Sequence, residues 1–204
     1  MSEIAAPTRE DIQYVRQLAE SGAHAPLLGG RFMVWWGLLL TGAYTAHHFA
    51  LEGAFGDGKT IFAAIWAAFA LLGMAGQLVL ARSMGPKSGS GSAGNRASRS
   101  VWTAAAFAIA AMVVGVAVAA RSGAGPATFD WIVPVAFAVY ACALTVTGSL
   151  ARNTITMAAG AGAVVMVGLY TALILAPERY LLAAAGVFLT VLVPGLLLLR
   201  AEPR

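Results

Sequence analysis

The chain has 204 residues, of which 59% are apolar and only 11% are charged, and its formal net charge is +4. A soluble domain is about half apolar and about a quarter charged. This composition, with a mean hydropathy of +0.77, therefore excludes a soluble enzyme and a disordered regulator. The single cysteine, Cys142, cannot form an internal disulfide, which excludes a disulfide-stapled secreted domain. Because it lies in the middle of an apolar run, it is predicted to be an inert core residue. An all-α integral membrane protein remains.

The first 30 residues are polar and are predicted to form a cytoplasmic arm with a short amphipathic helix over 9–21. Helical spacing places an apolar stripe on one face of this helix: Ile12, Val15, Leu18 and Ala19. The helix carries two arginines against three acids, whereas a helix that lies on a membrane surface usually has a basic polar face. The stripe is therefore predicted to bind protein, either loops of this chain or a partner.

Six apolar runs follow, each long enough to cross a bilayer core about 30 Å thick. They predict spans at 32–51, 61–81, 101–120, 131–151, 155–176 and 180–199. Because most connections are short, residues 31–204 are predicted to form a six-transmembrane bundle built as three antiparallel hairpins. The exception is 83–100, which is rich in Gly and Ser and is predicted to be a flexible cytoplasmic linker. Pro194, deep in the last span, is predicted to kink it.

The distribution of Lys and Arg predicts the orientation. With the N-terminus inside, ten basic residues lie in cytoplasmic segments and three outside, so both termini are predicted to be cytoplasmic. The Ala- and Gly-rich composition favours a bacterial inner membrane. The basic residues form no block with interleaved aromatics, so no nucleic-acid partner is expected. Four tryptophans near span ends are predicted to be interfacial anchors: Trp35, Trp36, Trp102 and Trp131.

Small residues at helical spacing predict faces where helices pack closely, within the bundle or against a partner. In the third span the face consists of Ala111, Gly115 and Ala119. Further candidates lie in the second span (Gly73, Gly76) and the fifth (Ala158, Gly160, Gly162, Gly168).

His47 and His48 close the first span and are the candidate metal or haem ligands. Adjacent helical residues point about 100° apart, so one ion cannot readily bind both. His48 and Glu52 are four residues apart and would share a face if the helix continued, but zinc normally takes three or four ligands. We therefore predict core or interfacial histidines, and a metal site of His47, His48 and Glu52 is the alternative.

Function is predicted mainly from what the spans lack. There is no Gly-x-Ser-x-Gly elbow, His-Glu-x-x-His motif or Walker loop. The span interiors also lack the ionisable residues that mark ion-coupled transport. We therefore predict a non-enzymatic protein without a cofactor that acts through protein contacts, as an accessory subunit, assembly factor or membrane-anchored regulator. A small channel or transporter for a neutral solute is the alternative, and a metal- or haem-binding protein is the third.

Overall fold

The computed structural model describes Arg9, Gln13, residues 28–56, Gly58, and residues 60–83 and 91–201. Arg9 and Gln13 are helical and exposed, within the predicted arm helix. The predicted partner-binding stripe of Ile12, Val15, Leu18 and Ala19 lies outside the described residues. All regular elements in the described part of the chain are helical.

The elements follow one another in an up-and-down order. Helix α1 is Gly30–Leu51, α2 is Thr60–Ser83, and α3 is Ala93–Ala119, which continues through a π turn, Ala120–Ala124. A 3₁₀ turn, Pro126–Trp131, leads into α4, Ile132–Leu150, and α5 is Thr154–Ala172. The last helix is divided into α6, Arg179–Val187, a π turn, Phe188–Leu192, and α7, Val193–Ala201.

Five of these helical stretches are long and apolar enough to cross a membrane: Thr60–Ser83, Gly94–Ala124, Pro126–Leu150, Thr154–Ala172 and Arg179–Ala201. Helix α1 has 22 residues, which is long enough. It is not among the five, because His47 and His48 lower its mean hydropathy. The predicted helical membrane bundle is thus confirmed, with five stretches that meet both criteria and one that meets the length.

Four helical rods form the core of the bundle: α1, α4, α5 and the divided last helix. The predicted hairpin partners do touch, α1 with α2, α3 with α4, and α5 with α6. The most extensive contacts, however, join α4 to α5 and α1 to the last helix. Helices α2 and α3 lie outside this core, α2 against α1 and α3 against α4. The largest fully buried side chains come from three of these rods, α4, α5 and the last helix, and include Phe137, Leu144, Tyr170 and Val187.

Two tryptophans fix α2 onto α1. A side chain at Gly73 would collide with the Trp36 ring, and one at Gly76 would collide with the Trp35 ring. Trp36 Nε1 donates to Gln77 Oε1 at 2.9 Å. Trp35 and Trp36 were predicted to be membrane-interface anchors. Both are half-buried in a helix–helix contact, because the two glycines leave room for indole rings, and their place at the membrane interface stays a prediction.

The last helix deviates where the sequence places Pro194. Proline has no N–H, so the carbonyl of Thr190 loses its usual helical donor, and the π turn Phe188–Leu192 stands immediately before it. Here the backbones of the last helix and α1 approach most closely. A Cβ at Gly37 would lie 2.9 Å from the Leu192 backbone, and one at Gly195 would lie 2.9 Å from the Val34 nitrogen.

Two predictions need correction, those for the linker and for Cys142, and the prediction for the packing face on α3 is narrowed to an outward contact. The predicted linker 83–100 is shorter, because α3 already begins at Ala93, where the Ser92 hydroxyl caps it by accepting from Asn95 N–H at 3.2 Å. The predicted packing face on α3 points outward, since a side chain at Gly115 would meet open space. Cys142, expected in an apolar core, is on the exposed surface of α4.

The alternating helices give the bundle two chemically different ends. One end, here the arginine end, holds the starts of α1, α3 and α5 and the last residues of α2, α4 and α7. Its segments are joined where Leu28 N–H donates to the buried side chain of Asn95 at 3.0 Å. The opposite end, here the acid end, carries every acidic residue that the structure describes: Glu52, Asp130 and Glu178.

Candidate functional site

The largest group of interacting polar side chains in the described residues lies at the acid end. Five residues from four parts of the chain form this end cluster: His47, Trp66, Asp130, Arg179 and Tyr180. His47 comes from the last turns of α1 and Trp66 from the first half of α2. Asp130 belongs to the 3₁₀ turn before α4, and Arg179 and Tyr180 open α6.

Asp130 is the acceptor at the centre of the end cluster. Tyr180 Oη donates to its Oδ1 at 2.5 Å, and Arg179 Nε lies 3.3 Å from its Oδ2. Only 13% of the Asp130 side chain and 20% of the Arg179 side chain are exposed. A charge pair withdrawn from water is tolerated when further hydrogen bonds satisfy it. Arg179 has such a bond, from its Nη1 to the carbonyl of Ala176 at 3.2 Å.

His47 connects this ion pair to α2. Its ring stacks on Tyr180 with centroids 3.9 Å apart and a 25° angle between the planes. Its Nδ1 accepts a hydrogen bond from Trp66 Nε1 at 2.9 Å. Because an indole only donates, the Nδ1 lone pair is used and the proton of a neutral ring is on Nε2. A chain of contacts thus runs from α2 through α1 and α6 to the start of α4.

Aromatic rings surround these polar contacts. Tyr44 lies edge-on to Trp66 at 5.4 Å and near Tyr180 at 6.1 Å, and Phe62 lies 4.8 Å from His47. Tyr44 is 4% exposed. The aromatic rings cover part of the cluster, and electrostatic contacts are stronger where less water reaches them.

Several buried polar atoms have no hydrogen-bond partner among the described residues: Thr41 Oγ1, His48 Nδ1, Thr147 Oγ1, Tyr170 Oη and Arg179 Nε, whose contact with Asp130 is an ion pair without hydrogen-bond geometry. Tyr170 is the most deeply buried of these residues, at 0% exposed. Burying an unpaired hydroxyl costs free energy. Such a position is therefore suited to an ordered water molecule.

The structure separates the three residues considered as metal ligands. His47 is engaged by Trp66 and Tyr180, His48 is buried one residue further on, and Glu52 is exposed beyond the end of α1. Within the part of the chain that the structure describes, no group of three His, Cys, Asp or Glu residues could hold a metal ion. Because Nδ1 of His47 is occupied, an ion would have to displace the proton on Nε2.

Sequence reasoning missed most of the end cluster. Asp130 and Arg179 belong to no motif, and each only flanks an apolar run. One usable signal was present: both precede apolar runs that enter the bundle from the same end, so opposite charges could meet there. Nothing in the sequence pattern indicated that Trp66 would reach His47.

Each polar side chain of the end cluster is bound to another member or to the backbone. The arrangement cross-links helices, and its charges form a neutral pair. No family model, no curated protein and no solved structure matches this chain. What is established is the class, an all-helical membrane-spanning bundle.

Proposed function

We propose that this chain is a non-enzymatic integral membrane protein that acts through protein contacts, as an accessory subunit, assembly factor or membrane-anchored regulator. One observation carries this proposal. The polar groups of the end cluster tie α1, α2, the turn before α4 and α6 together, while the two peripheral helices, α2 and α3, expose most of their residues.

The peripheral position of α2 and α3 supports contact with other membrane helices. Only Gly73 of α2 is buried among its described residues. On α3, Ala111 and Gly115 are exposed, and a side chain at Gly115 would meet no atom within 4 Å. In lipid there is little hydrophobic drive between helices, so association depends on close backbone approach at small residues. The face of Ala111, Gly115 and Ala119 offers that approach to a transmembrane helix of a partner protein.

Photocrosslinking in intact membranes tests this face directly. A benzophenone amino acid at Gly115 is expected to give a single adduct of defined mass. The matched position is Val113, which is also exposed on α3 but, two residues before Gly115, points about 160° away from it. Ala111→Leu is expected to abolish the Gly115 adduct by blocking approach. Equal labelling at both positions, or an adduct that survives Ala111→Leu, would contradict a specific contact.

The arm provides a second expected contact through Val15 and Leu18, in the apolar stripe of residues 9–21. Val15→Asp with Leu18→Asp is expected to insert normally yet lose the partner or the associated phenotype, because burying each side chain stabilises docking by about 1.5–3 kcal/mol. A double variant that retains its partner, its phenotype and its melting temperature would contradict a role of the arm in protein binding.

In the proposed topology the chain crosses a bacterial inner membrane six times, and both termini are in the cytoplasm. Reporter fusions after Arg204 and within 86–90 are expected to show that these positions are cytoplasmic. Fusions within 122–125 are expected to show that this segment is outside. An external signal after Arg204 would mean an odd number of crossings and would contradict the six-span arrangement.

A further inference from the structure

The arginine end carries a groove that the end cluster does not explain. It lies between α1, α2 and α7, and its outer part is lined by Arg31, Val34, Trp35, Leu38, Leu80 and Leu199. An adjoining depression continues between α1 and α2 towards Leu72, and shares Trp35 and Leu80 with the first. Together they form one groove, with a charged mouth at the bundle end and an apolar floor further in.

The floor is shaped for a hydrocarbon chain. Along α2 it extends from Leu72 to Leu80, which is about 12 Å at 1.5 Å per residue. The lining there is almost entirely apolar, and the Trp35 ring is held in place by Gly76 and by its hydrogen bond to the Gly73 carbonyl at 3.4 Å. The floor is therefore fixed by helix packing and exists before anything binds.

Among the residues that the structure describes, the mouth carries positive charge without a compensating acid. Arg31 lines it directly, and Arg82 and Arg200 come shortly after the lining residues Leu80 and Leu199. The ion pair found among the described residues is at the other end, between Arg179 and Asp130. All acids that the structure describes are also at that other end. Basic pockets between membrane helices bind the phosphate of anionic lipids.

We propose that this groove is a binding site for an anionic phospholipid. The phosphate binds at Arg31, Arg82 and Arg200, and one acyl chain lies along Trp35 and Leu80. Charge complementarity selects this occupant over an apolar partner helix, which would cover Arg31 without neutralising it. It also selects against a zwitterionic lipid, whose headgroup carries no net charge. This assignment does not depend on the partner proposed for α3.

Native mass spectrometry of the delipidated full chain in a neutral detergent tests the proposal. Dioleoyl phosphatidylglycerol and dioleoyl phosphatidylcholine are added separately at matched concentrations. One phosphatidylglycerol molecule is expected to bind in preference to phosphatidylcholine. Each juxtamembrane arginine strengthens such binding about fivefold, so Arg31→Gln with Arg82→Gln and Arg200→Gln is expected to weaken it roughly a hundredfold.

The matched control removes three arginines from the same end of the bundle but from elements that do not line the groove: Arg96→Gln, Arg99→Gln and Arg152→Gln. It is expected to retain preferential binding within about threefold. An equal loss of phosphatidylglycerol binding in both triple variants would show a general surface-charge effect and would contradict a specific site. Equal binding of the two lipids by the unmodified protein would overturn it as well.

The acyl-chain half of the proposal has its own test. Leu38 lines the groove and is 56% exposed, so a larger side chain fits there without disturbing the core. Leu38→Trp is expected to fill the groove and to weaken phosphatidylglycerol binding while the melting temperature stays unchanged. Excess inorganic phosphate is expected not to displace the lipid. Complete displacement by phosphate, or full binding by Leu38→Trp, would contradict a lipid site.

Discussion

The two ends of this bundle handle charge in opposite ways. At the acid end, Asp130 and Arg179 neutralise each other, and Tyr180 satisfies the remaining carboxylate oxygen. At the arginine end, Arg31 lines an open groove without a described acid near it. A charge that is paired within the chain contributes to the bundle, whereas a charge left unpaired beside an apolar groove is available to a ligand. Substitutions at the acid end should therefore lower the stability of the bundle, whereas substitutions at the arginine end should weaken ligand binding.

The largest effect is expected from Asp130→Asn. The change leaves Arg179 partly buried without a counter-charge, and removing one partner of a buried pair costs about 3–5 kcal/mol. Unfolding in detergent, followed by circular dichroism, measures the loss. Glu178→Gln is the matched control, since Glu178 is exposed at the same end, and it should change stability by less than about 0.5 kcal/mol.

A double-mutant cycle measures the coupling energy between Asp130 and Arg179 apart from the effects of each substitution on its surroundings. Arg179→Gln in the Asp130→Asn background should cost less than Arg179→Gln alone, because no unpaired charge then remains. If the two substitutions were additive, the pair would not be coupled, and the acid end would resemble the arginine end.

A smaller loss is expected from Tyr180→Phe. The ring still stacks on His47, but Asp130 loses the hydroxyl that binds Oδ1. A hydrogen bond to a charged group contributes about 1.5–3 kcal/mol, and the same unfolding measurement should show a loss in that range. Tyr140→Phe, on α4, is the control substitution. An unchanged stability in Tyr180→Phe would mean that the Tyr180 hydroxyl does not support the ion pair.

A loss of about 1 kcal/mol is expected from His47→Phe, which retains a ring on Tyr180 but cannot accept from Trp66. Metal content of the purified protein should be below stoichiometric before and after the change. Stoichiometric metal in the unmodified protein that disappears in His47→Phe would instead establish the metal site considered for His47, His48 and Glu52.

The smallest effect on stability is expected at the arginine end. Arg31→Gln with Arg82→Gln and Arg200→Gln should change unfolding of the lipid-free protein by no more than about 0.5 kcal/mol per substitution. A large loss without lipid would show that these arginines stabilise the bundle directly, and the contrast between the ends would disappear.

Much of the candidate site could not be predicted because its contacts are far apart in the sequence. Trp66 and His47 are 19 residues apart, and Tyr180 and Asp130 are 50 apart. His48 and Glu52 were considered as metal ligands because they are close in the sequence, only four residues apart. Adjacent histidines on one helix are visible in the sequence, whereas a contact between helices requires knowing which helices are neighbours.

The sequence by itself determined the membrane class, the helices and their approximate ends. Each apolar run must satisfy its own backbone hydrogen bonds in lipid, so its length and flanking polar residues are enough to predict a helix. Proline at position 194 likewise determined where the last helix deviates, through a missing N–H.

Only the tertiary structure decided which faces pack. In a helix that is apolar all round, polarity does not mark the buried side, so shape decides instead. Gly73 and Gly76 receive the indole rings of α1, while Gly115, equally small and at suitable spacing, meets open space. The same geometry brought Asp130 and Arg179 together at one end and left Arg31 beside a groove at the other, because charges find partners only where helix packing places them within reach.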